Sequence, residues 1–372
     1  MDYAPSRTTS SAIILIRPLL ILLMMLAHLF VLDHASVMKS EMPLSGENWL
    51  IVFLKSALAR SGVPLLSLIS GYLAVYSFQN YGYFSLLLKK ARRLLWPMIW
   101  ANLLFIVLFT WPGQAADPGE RPDLAIYPFN LYGWFQATFA FYKLPANQPL
   151  FFLKDLFTCF LLLPLLLAAA RIKYLNIMVF LWMAYKCVYL KSVFILPVYP
   201  LWFFRFDVVF AFYGGILLAL NHKALVIENR QISLALLLLF LLACVLASAA
   251  YVVLPQGQYV TLFLWLNFLV KVVSVFGCVA LMGLLSKQSN FFTRGLRRLS
   301  PYAYALFLTH ALSFTFFDRA YRTLFGTPEF FALGGNLYLV GIFISAVLVA
   351  IVAREAWLRL VSIHKTPRQS EQ

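Results

Sequence analysis

Length, composition and charge place this chain among multi-pass membrane proteins. It has 372 residues, of which 62% are hydrophobic, and its mean hydropathy is +0.83. These values exclude an ordinary soluble domain. The net charge of +16 would suggest a nucleic-acid partner in a soluble protein. Here the basic residues mark the cytoplasmic side of a membrane, and we expect no nucleic-acid partner.

The first hydrophobic segment, 11–32, carries Arg17 and His28 in an otherwise apolar run. Successive helical residues turn by about 100°, so eleven positions return to within roughly 20° of the start. A helix therefore places both side chains on one face, about 16 Å apart along its axis. Such residues face a protein interior or a water-filled cavity, unless Arg17 snorkels to the headgroups and His28 is a structural hydrogen-bonder. We expect a retained span, because the run is too long for a signal peptide.

The hydrophobic pattern predicts an all-α, polytopic transmembrane bundle with about ten spans. The predicted segments are 11–32, 50–78, 94–112, 148–170, 174–190, 204–221, 232–254, 260–286, 299–317 and 333–358. We expect one transmembrane domain over 1–362 and a short cytoplasmic tail over 363–372. The positive-inside rule predicts that both termini are cytoplasmic. Basic residues also fall within the segments, which favours a polar interior, at Arg17, Lys55, Arg60, Lys154, Lys186, Arg205 and Lys271.

The second and third segments carry further candidates. SGVPLLSLISGYL has Gly62, Pro64 and Gly71 as places to bend, and its small residues allow a close approach to a neighbouring helix or a ligand. KKARRLLWP opens the third segment with four basic residues, which we call the basic rim: Lys89, Lys90, Arg92 and Arg93. These charges could hold phosphates beside a helix N-terminus. Orientation signalling and anionic lipid explain them equally well.

Three later segments carry ionisable residues. Lys154 and Asp155 stand together in QPLFFLKDLF, where they either neutralise each other or leave Asp155 to orient a histidine on another helix. Arg205 and Asp207 present the same two alternatives. His310, in SPYAYALFLTH, lies about mid-membrane as either a structural hydrogen-bonder or a site residue.

The cysteines suggest neither a disulfide nor a metal site. The chain has four, Cys159, Cys187, Cys244 and Cys278, and all lie inside predicted spans without metal-ligand spacing. We expect no metal cofactor.

Taken in order, these motifs resemble the membrane acyltransferase-3 family. The resemblance runs from about Ile14 to Leu312 and includes PLFFLKDLF, FAFYGGILLA and LSPYAYALFLTH. It implies that Arg17 and His28 are the critical pair, that the basic rim belongs to the donor site, and that Ser70, Gly71 and Tyr72 form the glycine motif. Lys154, Asp155 and His310 are then acceptor-side or supporting residues.

Two departures from the family pattern stand out. Phe151-Phe152 replaces the usual Trp-Phe, which puts the acceptor pocket in question. The acid that usually precedes the first-helix arginine is missing, which puts in question how Arg17 is held. We expect no fused extracytoplasmic esterase-like domain.

The resemblance implies transfer of an acyl group, usually acetyl, from cytoplasmic acyl-CoA to a hydroxyl of a glycan at the outer face of a bacterial inner membrane. Histidine, with an unperturbed pKa of about 6.5, suits the removal of a hydroxyl proton. Whether His28 is that base or carries the acyl group is left open. The alternatives are a transporter or flippase for a glycan or lipid-linked precursor and a structural subunit of an export complex. The glycan and the oligomeric state are not determined by the sequence.

Overall fold

The chain folds as an all-α bundle. The structure, a computed structural model, describes residues 5–28, 49, 52–109, 130–141, 145–189, 193–194, 203–254, 259–326 and 333–363. The helices are α1 Arg7–Ala27, α2 Gly62–Tyr81, α3 Tyr83–Lys90, α4 Trp96–Phe109, α5 Leu131–Phe139, α6 Phe151–Leu161, α7 Leu163–Arg171, α8 Lys173–Tyr189, α9 Phe206–Leu220, α10 Arg230–Val253, α11 Val260–Ser286, α12 Phe291–Leu299, α13 Ala303–Phe325 and α14 Leu333–Ile363. Val193–Phe194 and Phe203–Phe204 form a short antiparallel strand pair, β1 and β2.

Shorter helical turns join several of these helices. A π-helical segment, Val52–Leu58, and a 3-10 turn, Ala59–Ser61, precede α2. A π-helical turn, Ala91–Leu95, joins α3 to α4, and 3-10 turns precede α6 and α13 at Gln148–Leu150 and Ser300–Tyr302. The helix type thus changes just before Gly62, one of the places where the sequence allowed a bend, whereas α2 continues as a regular helix through Pro64 and Gly71.

Each predicted segment contains helix, but several predicted boundaries were wrong. In the described residues, six helices are long and apolar enough to cross a membrane, or seven with the pair α6 and α7, which bends by 57°. The helices α8 and α9, with 17 and 15 residues, are shorter than a full span. The total of about ten spans and the cytoplasmic position of both termini therefore stay predictions.

The first helix is displaced from its predicted position. It begins at Arg7, capped by the Ser6 hydroxyl, and ends at Ala27, so His28 is the residue that terminates the helix. The prediction that His28 lies within a span reaching Leu32 was wrong in this respect, and residues 29–32 lie outside the described part. The helix continues through Pro18, whose ring removes one backbone hydrogen bond. This places His28 where the helix carries its unpaired carbonyl groups.

Three pairs of helices make the most extensive contacts of the bundle: α2 with α9, α10 with α11, and α13 with α14. The helix α1 lies among several of them, because it contacts α2, α11, α12 and α13. Its buried residues belong to the main core of the protein, as Leu15, Ile16 and Leu20 show with no exposed surface. Arg17 within α1 and His28 at its end are thus held by a helix that is packed on several sides.

Candidate active site

Arg17 lies half-buried near the middle of α1, surrounded by positive charge. Arg93 and Lys90 are both close enough to its guanidinium for electrostatic repulsion. Among the described residues, no carboxylate forms an ion pair with any of these three cations. Because like charges repel more strongly away from bulk water, an anion would stabilise this arrangement.

The π-helical turn Ala91–Leu95 positions the two rim residues that approach Arg17. Lys90 is half-buried, and its Nζ lies 4.3 Å from the centroid of the Phe160 ring. The backbone carbonyl of Arg93 accepts a hydrogen bond from the Tyr304 hydroxyl on α13. This hydrogen bond holds the basic rim against α13. It was not predicted from the sequence, although Tyr304 lies in SPYAYALFLTH, six residues before His310.

The other two rim residues contribute differently. Lys89 is exposed, and its Nζ lies 3.3 Å from the centroid of the Tyr81 ring, a cation–π contact. Arg92 is also exposed. Arg93 is exposed as well, but it and Lys90 are the rim charges that act on Arg17, whereas Lys89 and Arg92 are not.

His28 and His310 meet at the other end of the same face of α1. Their ring centroids are 5.7 Å apart, and the ring planes are inclined by 45°. His28 is half-buried, whereas His310 has no exposed surface. His310 lies among aromatic rings, with Phe307 at 6.0 Å and Phe314 at 5.8 Å between centroids. The pair is therefore one polar contact inside apolar surroundings.

The hydrogen bonds of His310 define its tautomer. Its Nδ1 lies 2.8 Å from the carbonyl oxygen of Phe307. A carbonyl oxygen can only accept, so Nδ1 carries the proton and Nε2 is left as an acceptor. Nε2 is buried and has no hydrogen-bond partner among the described residues.

The cationic group and the histidine pair lie at two levels of the bundle. Along α1, the eleven residues from Arg17 to His28 rise by about 16 Å. Along α13, the six residues from Tyr304 to His310 rise by about 9 Å in the same sense. Since Tyr304 holds Arg93 and His310 contacts His28, both levels lie where α1 faces α13. The shared face predicted for Arg17 and His28 agrees with this placement.

Within the described ranges, Asp155 contacts no histidine and is paired with its neighbour, as the first of the two alternatives predicted. Its Oδ1 lies 3.5 Å from Lys154 Nζ, and its Oδ2 accepts a hydrogen bond of 3.2 Å from the backbone N–H of Arg205. Lys154 also donates to the carbonyl oxygen of Ala140 at 2.9 Å. Both side chains are almost completely buried. The pair neutralises itself and ties α6 to the ends of two other segments.

A second network lies beside this pair. Arg205 and Asp207 form a two-point ion pair, and Lys271 on α11 donates to Asp207 Oδ2 at 2.7 Å. The Arg205 guanidinium also lies 4.6 Å from the centroid of the Phe151 ring. Sequence reasoning found Arg205 and Asp207 but missed that Lys271 joins them. The available signal was a basic residue alone in an apolar helix, which requires a partner.

Phe152 connects this region to the histidine pair. Its ring packs edge-on against Phe307 at 6.0 Å, one helical turn before His310. Phe151, which stands where the family usually has Trp, and its neighbour Phe152 therefore have distinct contacts, since Phe151 contacts Arg205 and Phe152 contacts α13.

The glycine motif serves helix packing. A side chain on Gly71 would come within 1.9 Å of the Phe212 carbonyl oxygen of α9. Ser70 donates to the Leu66 carbonyl within α2 at 2.8 Å, and the Tyr72 hydroxyl accepts from Tyr76 at 3.2 Å. The sequence allowed a close approach of either a neighbouring helix or a ligand at this stretch, and Gly71 makes the close contact with a neighbouring helix.

The cysteines and possible metal ligands complete the inventory. All four cysteines are free thiols. Over the described ranges, no three His, Cys, Asp or Glu side chains gather as a metal site would require. The polar groups found together are thus cations, carboxylates paired with them, and two imidazoles.

The chain is similar to known proteins over nearly all its length. A family model described as an acyltransferase domain matches residues 10–355. A succinoglycan biosynthesis protein, ExoH, of Rhizobium meliloti (strain 1021) is 32% identical over 235 residues, which is 62% of this chain and 59% of that relative. The match thus spans less than two thirds of the relative. No solved structure matches the chain.

Proposed function

The chain belongs to the membrane acyltransferase-3 family, and on this premise we propose that it transfers an acyl group, acetyl in the first instance, from cytoplasmic acyl-CoA to a glycan hydroxyl. The glycan is a cell-surface or periplasmic polysaccharide, and the membrane is a bacterial inner membrane. The observation that carries the proposal is the arrangement on α1, where a cationic group around Arg17 and an imidazole pair at His28 occupy two levels of one face.

The cationic group is assigned to the donor phosphates. Arg17, Lys90 and Arg93 repel one another, and no carboxylate among the described residues compensates them. Phosphate oxygens would reverse that repulsion and accept charge-assisted hydrogen bonds. A hydrogen bond to a charged group contributes about 1.5–3 kcal/mol when its geometry is good. Lys89 and Arg92, which are exposed and are not among the charges acting on Arg17, then add a general positive field at the entrance.

The separation of the two levels suits coenzyme A. About 16 Å of helix lies between Arg17 and His28. In acyl-CoA a long flexible arm joins the phosphates to the thioester, so one end can be held at Arg17 while the reactive carbonyl reaches His28. Arg17 is too far from His28 to stabilise the oxyanion of the tetrahedral intermediate, and it acts through the donor instead.

His28 is the residue that acts on the reacting atoms. As a base, it takes the hydroxyl proton while the hydroxyl oxygen attacks the thioester carbonyl, and the C–S bond then breaks as the thiolate receives a proton. As a nucleophile, it carries the acyl group before the hydroxyl attacks. Its position at the end of α1 favours either route, because the partial negative charge of a helix C-terminus stabilises a positive imidazole by about 0.3–1 kcal/mol.

The acceptor is assigned to the side of α6 and the start of α9. The glycan class comes from the relative, whose printed name concerns succinoglycan biosynthesis. Lys154 and Asp155 are buried and paired, so they support this region without touching the glycan. Phe151 contacts Arg205, and Phe152 contacts Phe307 on the helix that carries His310. Ser70, Gly71 and Tyr72 act as supporting residues that set the contact between α2 and α9.

Transport of an anionic passenger has less support. Among the cations that the sequence places within spans, Lys154, Arg205 and Lys271 are each paired with a carboxylate. Lys186 lies over the Trp182 ring at 5.9 Å. Among the side chains that the structure describes, which leaves out Lys55 and Arg60, the cations gathered without a paired carboxylate are those around Arg17, and they form a site at one level and not a path.

The test compares surface glycans by mass spectrometry in cells with the wild-type protein, with none, and with His28→Ala. We expect an acyl ester that depends on the protein and is lost in His28→Ala at normal membrane levels. His222→Asn is the matched control, because His222 is an exposed histidine with a φ of 52°, a conformation that asparagine tolerates. Wild-type glycan acylation by His28→Ala would remove His28 from the reaction. An unchanged glycan in cells lacking the protein would overturn the proposed function.

A further inference from the structure

The buried nitrogen of His310 is the polar group that the mechanism above leaves unused. His310 has no exposed surface, and its Nε2 has no partner among the described residues. A buried acceptor without a hydrogen bond is costly, so native proteins retain one where it has a task or where water or a ligand completes it. The position of His310 on α13 does not require such a nitrogen for packing, because Phe307 and Phe314 surround it with apolar rings.

The geometry identifies the group that this nitrogen serves. The proton on Nδ1 is held by the Phe307 carbonyl, so Nε2 points from the far side of the ring. Among the described residues, the rings in contact with His310 are those of Phe307, Phe314 and His28. Of these three, His28 alone carries a nitrogen, and the 5.7 Å between centroids allows contact directly or through one water.

We propose that His310 is a positioning residue for His28: its Nε2 accepts a hydrogen bond from an imidazole N–H of His28, directly or through one water. This holds His28 in one tautomer and one ring orientation, with its other nitrogen unprotonated and directed to the substrate. The inference rests on the proposed function, because the orientation matters only if His28 reacts.

The proposed contact fits both routes open to His28. A base needs one unprotonated nitrogen toward the hydroxyl proton, and a nucleophile needs one toward the carbonyl carbon, so in both cases the opposite N–H must be held elsewhere. When His28 takes the hydroxyl proton, both its nitrogens become donors, and the bond to His310 becomes charge-assisted and stronger. The proton passes on to the departing thiolate, so His310 gains and loses none. A carboxylate in this role would hold a positive His28 more firmly, whereas a neutral imidazole lets the proton leave.

Two substitutions separate this role from a structural one. In His310→Gln the side-chain oxygen reaches about as far as Nε2, while in His310→Asn the amide lies near Nδ1 and can still donate to the Phe307 carbonyl. Positioning therefore predicts that glutamine retains most of kcat. It predicts that asparagine loses on the order of 10- to 100-fold in kcat with little change in KM, as when an outer partner that orients a histidine is removed. A structural role predicts the reverse order, with asparagine active and glutamine inactive or unstable.

The measurement uses the full-length protein in liposomes, with acyl-CoA and isolated glycan as substrates, and records thermal stability of each variant. Nitrogen-15 NMR of histidine-labelled protein gives a second readout that does not depend on turnover. The chain has five histidines, so His28 can be assigned by its loss in His28→Ala. We expect one tautomer of His28 in the wild type and in His310→Gln, and a mixture in His310→Asn and His310→Phe.

The outcomes are distinguishable. A His28 spectrum that is the same in all variants, or an active His310→Asn beside an inactive but stable His310→Gln, would overturn the positioning role. Absence of acyl transfer by the wild-type protein would instead count against the proposed function, while the NMR comparison would still decide whether His310 holds His28.

Discussion

Arg17 on α1 and Arg93 in the neighbouring π-helical turn repel one another, and no carboxylate of the described residues stands between them. A bundle that pairs Lys154, Arg205 and Lys271 with acids leaves this group uncompensated. Such a cluster destabilises the protein until an anion occupies it. We therefore expect the protein to be more stable when an anionic ligand is bound beside Arg17 and Arg93.

Arg93→Gln should weaken CoA binding by roughly 10- to 150-fold, the equivalent of a hydrogen bond to a charged group worth about 1.5–3 kcal/mol. Arg92→Gln should have a smaller effect, because Arg92, unlike Arg93, is not among the charges that act on Arg17 and Lys90. Calorimetry on purified protein at two ionic strengths measures both. Arg7→Gln, at the exposed start of α1, is the control. Equal affinities for all three variants and the wild type would exclude the rim from the donor site.

Ligand should also raise thermal stability through the same group. We expect CoA to raise the Tm of the wild type and to raise that of Arg17→Gln less. Without ligand, Arg17→Gln should be no less stable than the wild type, because a repelled charge is removed. Thermal unfolding in detergent, with and without CoA, tests both statements. A large loss of stability in the unliganded variant would mean that Arg17 is a structural residue.

Gly71→Ala should destabilise the protein by at least 1–3 kcal/mol, the usual cost of overpacking. A side chain at Gly71 would meet a backbone oxygen of α9 at 1.9 Å, and a backbone atom cannot turn aside. Gly295→Ala is the matched control, since nothing lies within 4 Å of a side chain there and the site is inside α12. We expect that variant to be as stable as the wild type or more so. Equal melting temperatures for both variants would contradict the close crossing of α2 and α9.

Asp207→Asn should cost about 3–5 kcal/mol at most, because it leaves Arg205 and Lys271 without their shared carboxylate. Lys271→Met should cost less, since Arg205 and Asp207 keep their ion pair. Glu355→Gln, which breaks an exposed pair with Arg354, should change stability by less than about 1 kcal/mol. Denaturation of the three variants in detergent gives the comparison. If Asp207→Asn is as mild as Glu355→Gln, the network does not hold α9 to α11.

Orientation is tested by cysteine labelling in intact cells. We expect Arg92→Cys to react only after the inner face is opened and Leu131→Cys to react from outside. The native cysteines give low background, because three are buried and Cys187 is half-buried. The reverse pattern at both positions would place the donor site on the wrong side of the membrane.

The sequence predicted features within single helices and missed contacts between residues of different helices. Periodicity alone placed Arg17 and His28 on a common face, and each predicted segment contains helix. Periodicity cannot say which helices are neighbours, so the contact between His28 and His310 was not foreseen. For the same reason, the sequence left open that Asp155 orients a histidine, whereas in the structure it contacts Lys154 and a backbone N–H.

Gly71 shows the same limit from another side. The absence of a side chain at Gly71 predicted that a neighbouring helix or a ligand comes close, but it could not predict which atom does so. The structure supplies the carbonyl of Phe212. The end of α1 was missed because the residues after Ala27 remain apolar, and hydropathy carries no signal for a helix that stops inside an apolar run.

The π-helical turn Ala91–Leu95 contains one residue more than a regular helical turn. This extra residue allows the parts of the span before and after it to face different surroundings. Before it, Lys90 reaches inward to Arg17; after it, Trp96 and Trp100 lie outward, each 56% exposed. Deleting one residue there would leave composition and hydropathy almost unchanged, yet it would rotate the two halves by about 100° relative to each other. Either Lys90 would then turn away from Arg17, or Trp96 and Trp100 would turn into the bundle. The length of this short stretch is therefore as tightly constrained as the identity of Arg93 within it.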